Sequence, residues 1–148
     1  MPLPERLFFC IQDFGWNDYI LLKEEIRQKY KHHLDFLSSL PLYRETEEHI
    51  FVHAGINPLI EDWKRQLPYD FIWIRGPFYT NPVVSTNKTV IFGHTSTMDL
   101  HDSEEIWFSP QGDKIGVDGG CAYGQHLNCL EISGGEYITH FVRNGEKP

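Results

Sequence analysis

Two histidines stand at the ends of short apolar runs. His53 follows His49-Ile50-Phe51-Val52 and precedes Ala54-Gly55, and His94 follows Thr89-Val90-Ile91-Phe92-Gly93. An imidazole fixed at a strand end can ligate a metal ion or move a proton near neutral pH. A single histidine in that position is more often a hydrogen-bonded core residue than a ligand. Two with the same local pattern point to one shared site. The distance in sequence between them is not a local metal-binding spacing, so the fold must bring them together.

The elements that would do so are legible in the hydrophobic pattern. Short apolar runs bounded by glycine suit strands buried on both faces. Ahead of them, Tyr19, Leu22, Ile26, Tyr30, Leu34 and Leu37 recur at steps of three and four, with Lys23, Glu24, Arg27 and Lys31 between them. This predicts an amphipathic helix, or two in tandem, capped by Asn17 and ending before Pro41, its stripe packed in a core. Residues 42–45 predict a strand, with Glu47-Glu48 turning into the first histidine-bearing strand. Asn57-Pro58 predicts a short helix through Trp63. Residues 71–75 are apolar up to Arg75, and Pro77, Asn81 and Pro82 mark a loop.

The last third reads as β structure. Residues 106–108 and 114–117 flank a turn at Pro110-Gln111-Gly112-Asp113, and residues 127–132 and 137–142 flank Gly134-Gly135, a hairpin signal. No internal repeat, low-complexity tract or linker interrupts the chain. The tail from Asn144 onward is expected to fray.

Composition narrows the function class. The chain's 148 residues suffice for one domain with a real core, and a 41% hydrophobic content excludes a disordered chain. A net charge of −8 without a basic cluster argues against a nucleic-acid partner. Cys10, Cys121 and Cys129 form no metal-binding pair and read as free thiols in the cytoplasm. The apolar run at residues 7–11 is too short for a signal peptide, and no run is long enough to span a membrane.

Taken together, Phe51-Val52-His53-Ala54-Gly55-Ile56-Asn57-Pro58, Ile72-Trp73-Ile74-Arg75 and Val90-Ile91-Phe92-Gly93-His94-Thr95 resemble the C-terminal half of the calcineurin-like metallophosphoesterases. The likeness is strongest to bacterial serine/threonine protein phosphatases of the PPP type and to symmetrical diadenosine tetraphosphatases. The segment Ile115-Gly116-Val117-Asp118-Gly119-Gly120-Cys121-Ala122-Tyr123-Gly124 is similar to the stretch where that family closes its second sheet. The likeness spans residues 15–142.

The resemblance implies an α/β fold, part of a four-layer β-sandwich flanked by helices, with residues 1–148 forming one incomplete domain. It implies a metal-dependent phosphoester hydrolase acting on a phosphorylated protein or a dinucleoside polyphosphate. Two divalent ions, manganese or iron with zinc or manganese, would generate the nucleophile and hold the phosphate. His53 and His94 match the histidines that bind the second metal. Arg75 matches an arginine that grips the substrate phosphate, a role suited to a planar guanidinium; without the family it reads as a surface salt bridge.

The family's upstream motifs GDxHG, GDxxDRG and GNHE do not occur. They supply the remaining metal ligands and the general acid, so no residue of this chain is assigned a catalytic role. The chain is expected to be the C-terminal half of such an enzyme, or a non-catalytic remnant acting by binding. An oligomer or an upstream segment would cover its incomplete sheet. Asp118, just past a predicted strand, is the carboxylate best placed to orient a histidine from behind. Tyr123 is a candidate for the cleft wall. Asp99, His101 and Asp102 read as a solvated loop, and His126 and His140 as structural.

Overall fold

The computed structural model describes residues 15–145. The run at residues 7–11, Cys10 and residues 146–148 lie outside them. By its contacts the chain divides into two compact units, Met1–Leu40 and Pro41–Pro148.

In the first unit, helix α1 spans Trp16–Lys29 and α2 spans Lys31–Ser39, so the periodic stretch is two helices in tandem. The N-cap is Gly15 rather than Asn17, and Asp18 accepts the Gly15 N–H at 2.9 Å. Leu40 is extended, the conformation that a following proline favours. The apolar stripe does not become a buried core. No residue of either helix is buried; Tyr19, Leu22, Ile26 and Leu34 instead line a shallow groove of about 310 Å³.

The second unit is mixed α/β. Its main sheet contains β1 (Tyr43–Glu45), β2 (His49–Val52), β3 (Thr89–Phe92), β4 (Trp107–Phe108) and β5 (Lys114–Gly116), in the order β1-β2-β3-β5-β4. The inner strands β2, β3 and β5 run parallel, in register Val52 to Phe92 and Phe92 to Gly116. The outer strands β1 and β4 are antiparallel to their neighbours. Parallel strands need both faces covered, and here both are.

Side chains alternate along each strand, which sorts the core into two layers. Ile50, Val52, Val90 and Phe92 face a layer holding Trp63, Phe71, Ile74 and Phe78. That layer comes from a 3₁₀ turn (Trp63–Arg65) and the short helices α3 (Pro68–Trp73) and α4 (Gly76–Thr80). The helix expected from Asn57 through Trp63 is displaced. Asn57 Oδ1 accepts the Leu59 N–H at 3.0 Å in an Asx turn, and helical structure begins only at Trp63. Residues 71–73 belong to a helix entered through Pro68.

On the opposite face, Phe51, Ile91, Ile106, Ile115 and Val117 pack against Leu130 and Ile132. These belong to the hairpin of β6 (His126–Ser133) and β7 (Glu136–Arg143). Gly134 and Gly135 have φ of +59° and +82°, the two-residue turn that matches strand twist. Tyr137 ties the hairpin down through a 2.8 Å hydrogen bond to His49 Nε2. Every residue of β7 is exposed, with Phe141 at 51%. The hairpin is thus a two-stranded sheet covering one face of the main sheet, and a short helix α5 (Met98–His101) follows the second histidine.

A candidate phosphate and metal site at the strand ends

The three parallel strands end side by side, and the residues after each converge. His53 follows β2 directly, His94 lies one residue beyond Gly93 after β3, and Asp118 lies just past β5. In open sheets of this kind, the space beyond the carboxyl ends of the strands is where ligands bind. Here that space is a cleft of about 690 Å³ whose walls include His53, Arg75, His94, Asp99, Asp118 and Tyr123.

The strand ends aim the two histidines by different means. The Gly93 N–H still donates to the His53 carbonyl at 2.9 Å, prolonging the ladder. At His94 the chain breaks away: φ is +66°, and the Thr95 N–H donates back to the Gly93 carbonyl at 2.7 Å. A hydrogen bond across one residue at positive φ is a γ-turn of the rare, strained kind. The two rings lie with centroids 4.9 Å apart, inclined at 53°. The Trp73 indole also lies against the His94 ring, at 5.1 Å.

The surroundings of His94 disfavour its charged form. Burial, the Arg75 guanidinium and the neighbouring His53 hold it below the ordinary imidazole value of 6.5, against a backbone hydrogen bond with Trp73 and the Asp118 carboxylate. Its Nε2 is buried without a hydrogen-bond partner. A neutral imidazole with an unpartnered nitrogen is the form that ligates a metal. Among the described residues, no group of three or more His, Cys, Asp or Glu side chains is placed to hold a metal ion. Two imidazoles fit part of a coordination sphere, not all of one.

Arg75 is the N-cap residue of α4, follows Ile74 at the end of α3, and reaches the same cleft. Its Nη1 donates to the His94 carbonyl at 3.0 Å and to Thr95 Oγ1 at 3.3 Å. The exposed guanidinium pairs with no carboxylate among the described residues, so the surface salt bridge is not formed. Buried Ile74 anchors the segment, and the Ala54 N–H donates to the Phe71 carbonyl at 2.9 Å, tying α3 to the end of β2.

Asp118 braces the loops. Its carbonyl accepts the Thr97 N–H at 2.8 Å, joining the loop after β5 to the loop after β3. Its Oδ1 accepts the Gly120 N–H at 3.0 Å, which turns the chain into the 3₁₀ turn Cys121–Tyr123. Tyr123 stands at the cleft 87% exposed.

The other singled-out residues fall elsewhere, with one exception. His126 is buried against Phe141, rings 4.4 Å apart, with Nε2 3.0 Å from a Glu104 oxygen. His140 pairs with Glu131 at 2.9 Å, and His101 Nε2 lies 3.1 Å from the Glu105 carbonyl. Asp102 closes α5 in a left-handed conformation. Asp99, which reads from sequence as part of a solvated loop, lines the cleft. Sequence reasoning also misses Trp73 as the ring packed against His94. Its place two residues before Arg75, across an anchoring Ile74, is the available signal.

No protein-family model matches the chain, and no curated protein or solved structure matches it either. No helix among the described residues is long and apolar enough to cross a membrane.

Proposed function

We propose that this chain forms one half of the active site of a metal-dependent phosphoester hydrolase, of the calcineurin-like, serine/threonine-phosphatase kind. The observation that carries the reading is the convergence of His53, His94 and Arg75 on one cleft beyond three parallel strands. Residues far apart in sequence and tied to the resemblance by separate motifs meet where a ligand would bind. The main sheet, covered by helices on one face and a second sheet on the other, supports its being part of a four-layer sandwich.

His53 and His94 would hold a divalent cation, manganese, iron or zinc, with the remaining ligands supplied from outside the described residues. Such a cation, when bound, supplies a hydroxide at neutral pH and stabilises charge on a phosphoryl oxygen. Arg75 uses one terminal nitrogen on His94 and Thr95. A guanidinium carries five N–H donors, so others are free for a phosphate oxygen. Asp118 fixes the loop that carries His94 relative to the cleft. Asp99 and Asp118 place negative charge at the rim, which suits cations more than bare phosphate and favours a site that takes its anion with a metal. Phosphorylated protein and dinucleoside polyphosphate are the two substrate classes.

A second reading is a binding module without catalysis, favoured by the pairing of only two ligand side chains among the described residues. Manganese-dependent hydrolysis of p-nitrophenyl phosphate is the test. Turnover that is lost in both His53→Ala and His94→Ala would favour the hydrolase reading and mean that this half completes a site, as across an oligomer. A folded chain that is inert at saturating manganese would leave the C-terminal half of such an enzyme or the binding module.

A further inference from the structure

We infer that Arg75 is a positioning residue for His94, in addition to any contact it makes with phosphate. This rests on the site proposed above. His94 occupies the apex of a γ-turn at φ +66°, a conformation that an L-residue with a ring side chain adopts only under external constraint. The turn uses the Gly93 carbonyl and the Thr95 N–H, leaving the His94 carbonyl outside the strand ladder. Arg75 Nη1 meets that carbonyl at 3.0 Å and Thr95 Oγ1 at 3.3 Å, so one nitrogen holds the turn at its apex and at the following residue.

The rest of the segment makes the constraint stiff. Three successive residues act on different things: the Trp73 indole lies against the His94 ring, Ile74 is buried in the core, and Arg75 holds the His94 backbone. Ring and backbone of one histidine are thus held by one short stretch. Without it the turn relaxes toward ordinary backbone, and the imidazole swings away from His53. The metal-side histidine and the phosphate-side arginine are thereby coupled: a shift of the guanidinium toward an anion is felt at His94.

Nuclear magnetic resonance on the full, metal-free chain tests this. Ring-proton cross-relaxation between His53 and His94, whose centroids are 4.9 Å apart, is compared in wild type, Arg75→Gln, Arg75→Lys and Thr95→Val, with unchanged amide dispersion as the check on folding. We expect the cross-peak to fall at least threefold in Arg75→Gln and to be partly restored in Arg75→Lys. Thr95→Val, which removes only the weaker contact, should lie between. An undiminished cross-peak in Arg75→Gln overturns the inference. Calorimetric titration of the same samples with manganese and then inorganic phosphate reports on the hydrolase reading separately. A lost cross-peak in a protein whose wild type binds no phosphate keeps the positioning role and removes that reading. Lost phosphate binding with an intact cross-peak leaves Arg75 a phosphate ligand only.

Discussion

Gly55 sits two residues past His53, where the chain leaves β2 for the helical layer, and the packing there leaves no room for a side chain. A Cβ at Gly55 would lie 2.4, 2.6 and 2.7 Å from three carbons of the Phe78 ring. Ordinary carbon contacts are about 3.5–4.0 Å, so the ring or the backbone must move by about 1 Å. Phe78 has nowhere to go: it is fully buried, edge-on to Phe92 at 4.9 Å, with the Lys114 ammonium 5.7 Å from its ring centre. Overpacking of this kind costs about 1–3 kcal/mol. At φ +155° an L-residue is strained by about 1–3 kcal/mol more. Gly55→Ala should therefore lose about 2–6 kcal/mol, and at about 4 °C per kcal/mol its Tm should fall by about 8–24 °C.

Circular dichroism melts give the total, and two further variants divide it. Gly112 has φ of +72° and nothing within 4 Å of the point where a Cβ would stand, so Gly112→Ala shows the cost of a left-handed backbone without a collision, about 1–2 kcal/mol. In a Phe78→Leu background the collision is relieved, and Gly55→Ala should cost at least about 1 kcal/mol less than in wild type. An unchanged Tm in Gly55→Ala, or the same cost in both backgrounds, would refute the reasoning.

Other expectations follow from the buried pair beneath the sheet. Lys114 is 1% exposed and donates to Asp113 Oδ2 at 2.7 Å and to the Asn81 carbonyl at 3.0 Å; Lys114→Ala should cost about 3–5 kcal/mol in urea unfolding, since it strands a half-buried carboxylate. For Asp113, burial pushes the carboxyl upward, but hydrogen bonds from Lys114, Ser109 and the Val83 N–H outweigh it and hold it below the ordinary 3.8. The unfolded carboxyl then binds a proton first, so this stability is present above pH 3.8 and is lost as pH falls through the lower folded value. Asp113→Asn should flatten the acid limb of a stability–pH curve; an unchanged acid limb would show that other carboxylates set it. Gly134→Val, at φ +59° in the hairpin turn, should cost about 1–2 kcal/mol, and a neutral result would mean that the turn is not formed in solution.

What the sequence can and cannot reveal divides along physical lines. The histidine-bearing strands, the tandem helices and the Gly134-Gly135 hairpin are legible because period and turn chemistry are local properties. The displaced helix near Asn57 is not, because an asparagine side chain captures the backbone first. The stripe on α1 and α2 has the period of a core helix, but periodicity reports which residues share a face, not whether anything covers it. At the site, the convergence of His53 and His94 follows from their matching strand ends. The γ-turn at His94 and the Trp73 ring against it are hidden, because both depend on where a non-local segment lands. Asp99 reads as a loop residue because its neighbours are polar, and such neighbours suit a cleft rim as much as a loop.

The most direct test of the central claim is manganese-dependent binding of inorganic phosphate, by calorimetry, to wild type and to His53→Ala, His94→Ala and Arg75→Gln. Binding is expected in wild type only when manganese is present, weakened at least about tenfold in each variant, the loss of roughly one charge-assisted contact. Phosphate binding that ignores manganese, or that survives in all three variants, would contradict the claim.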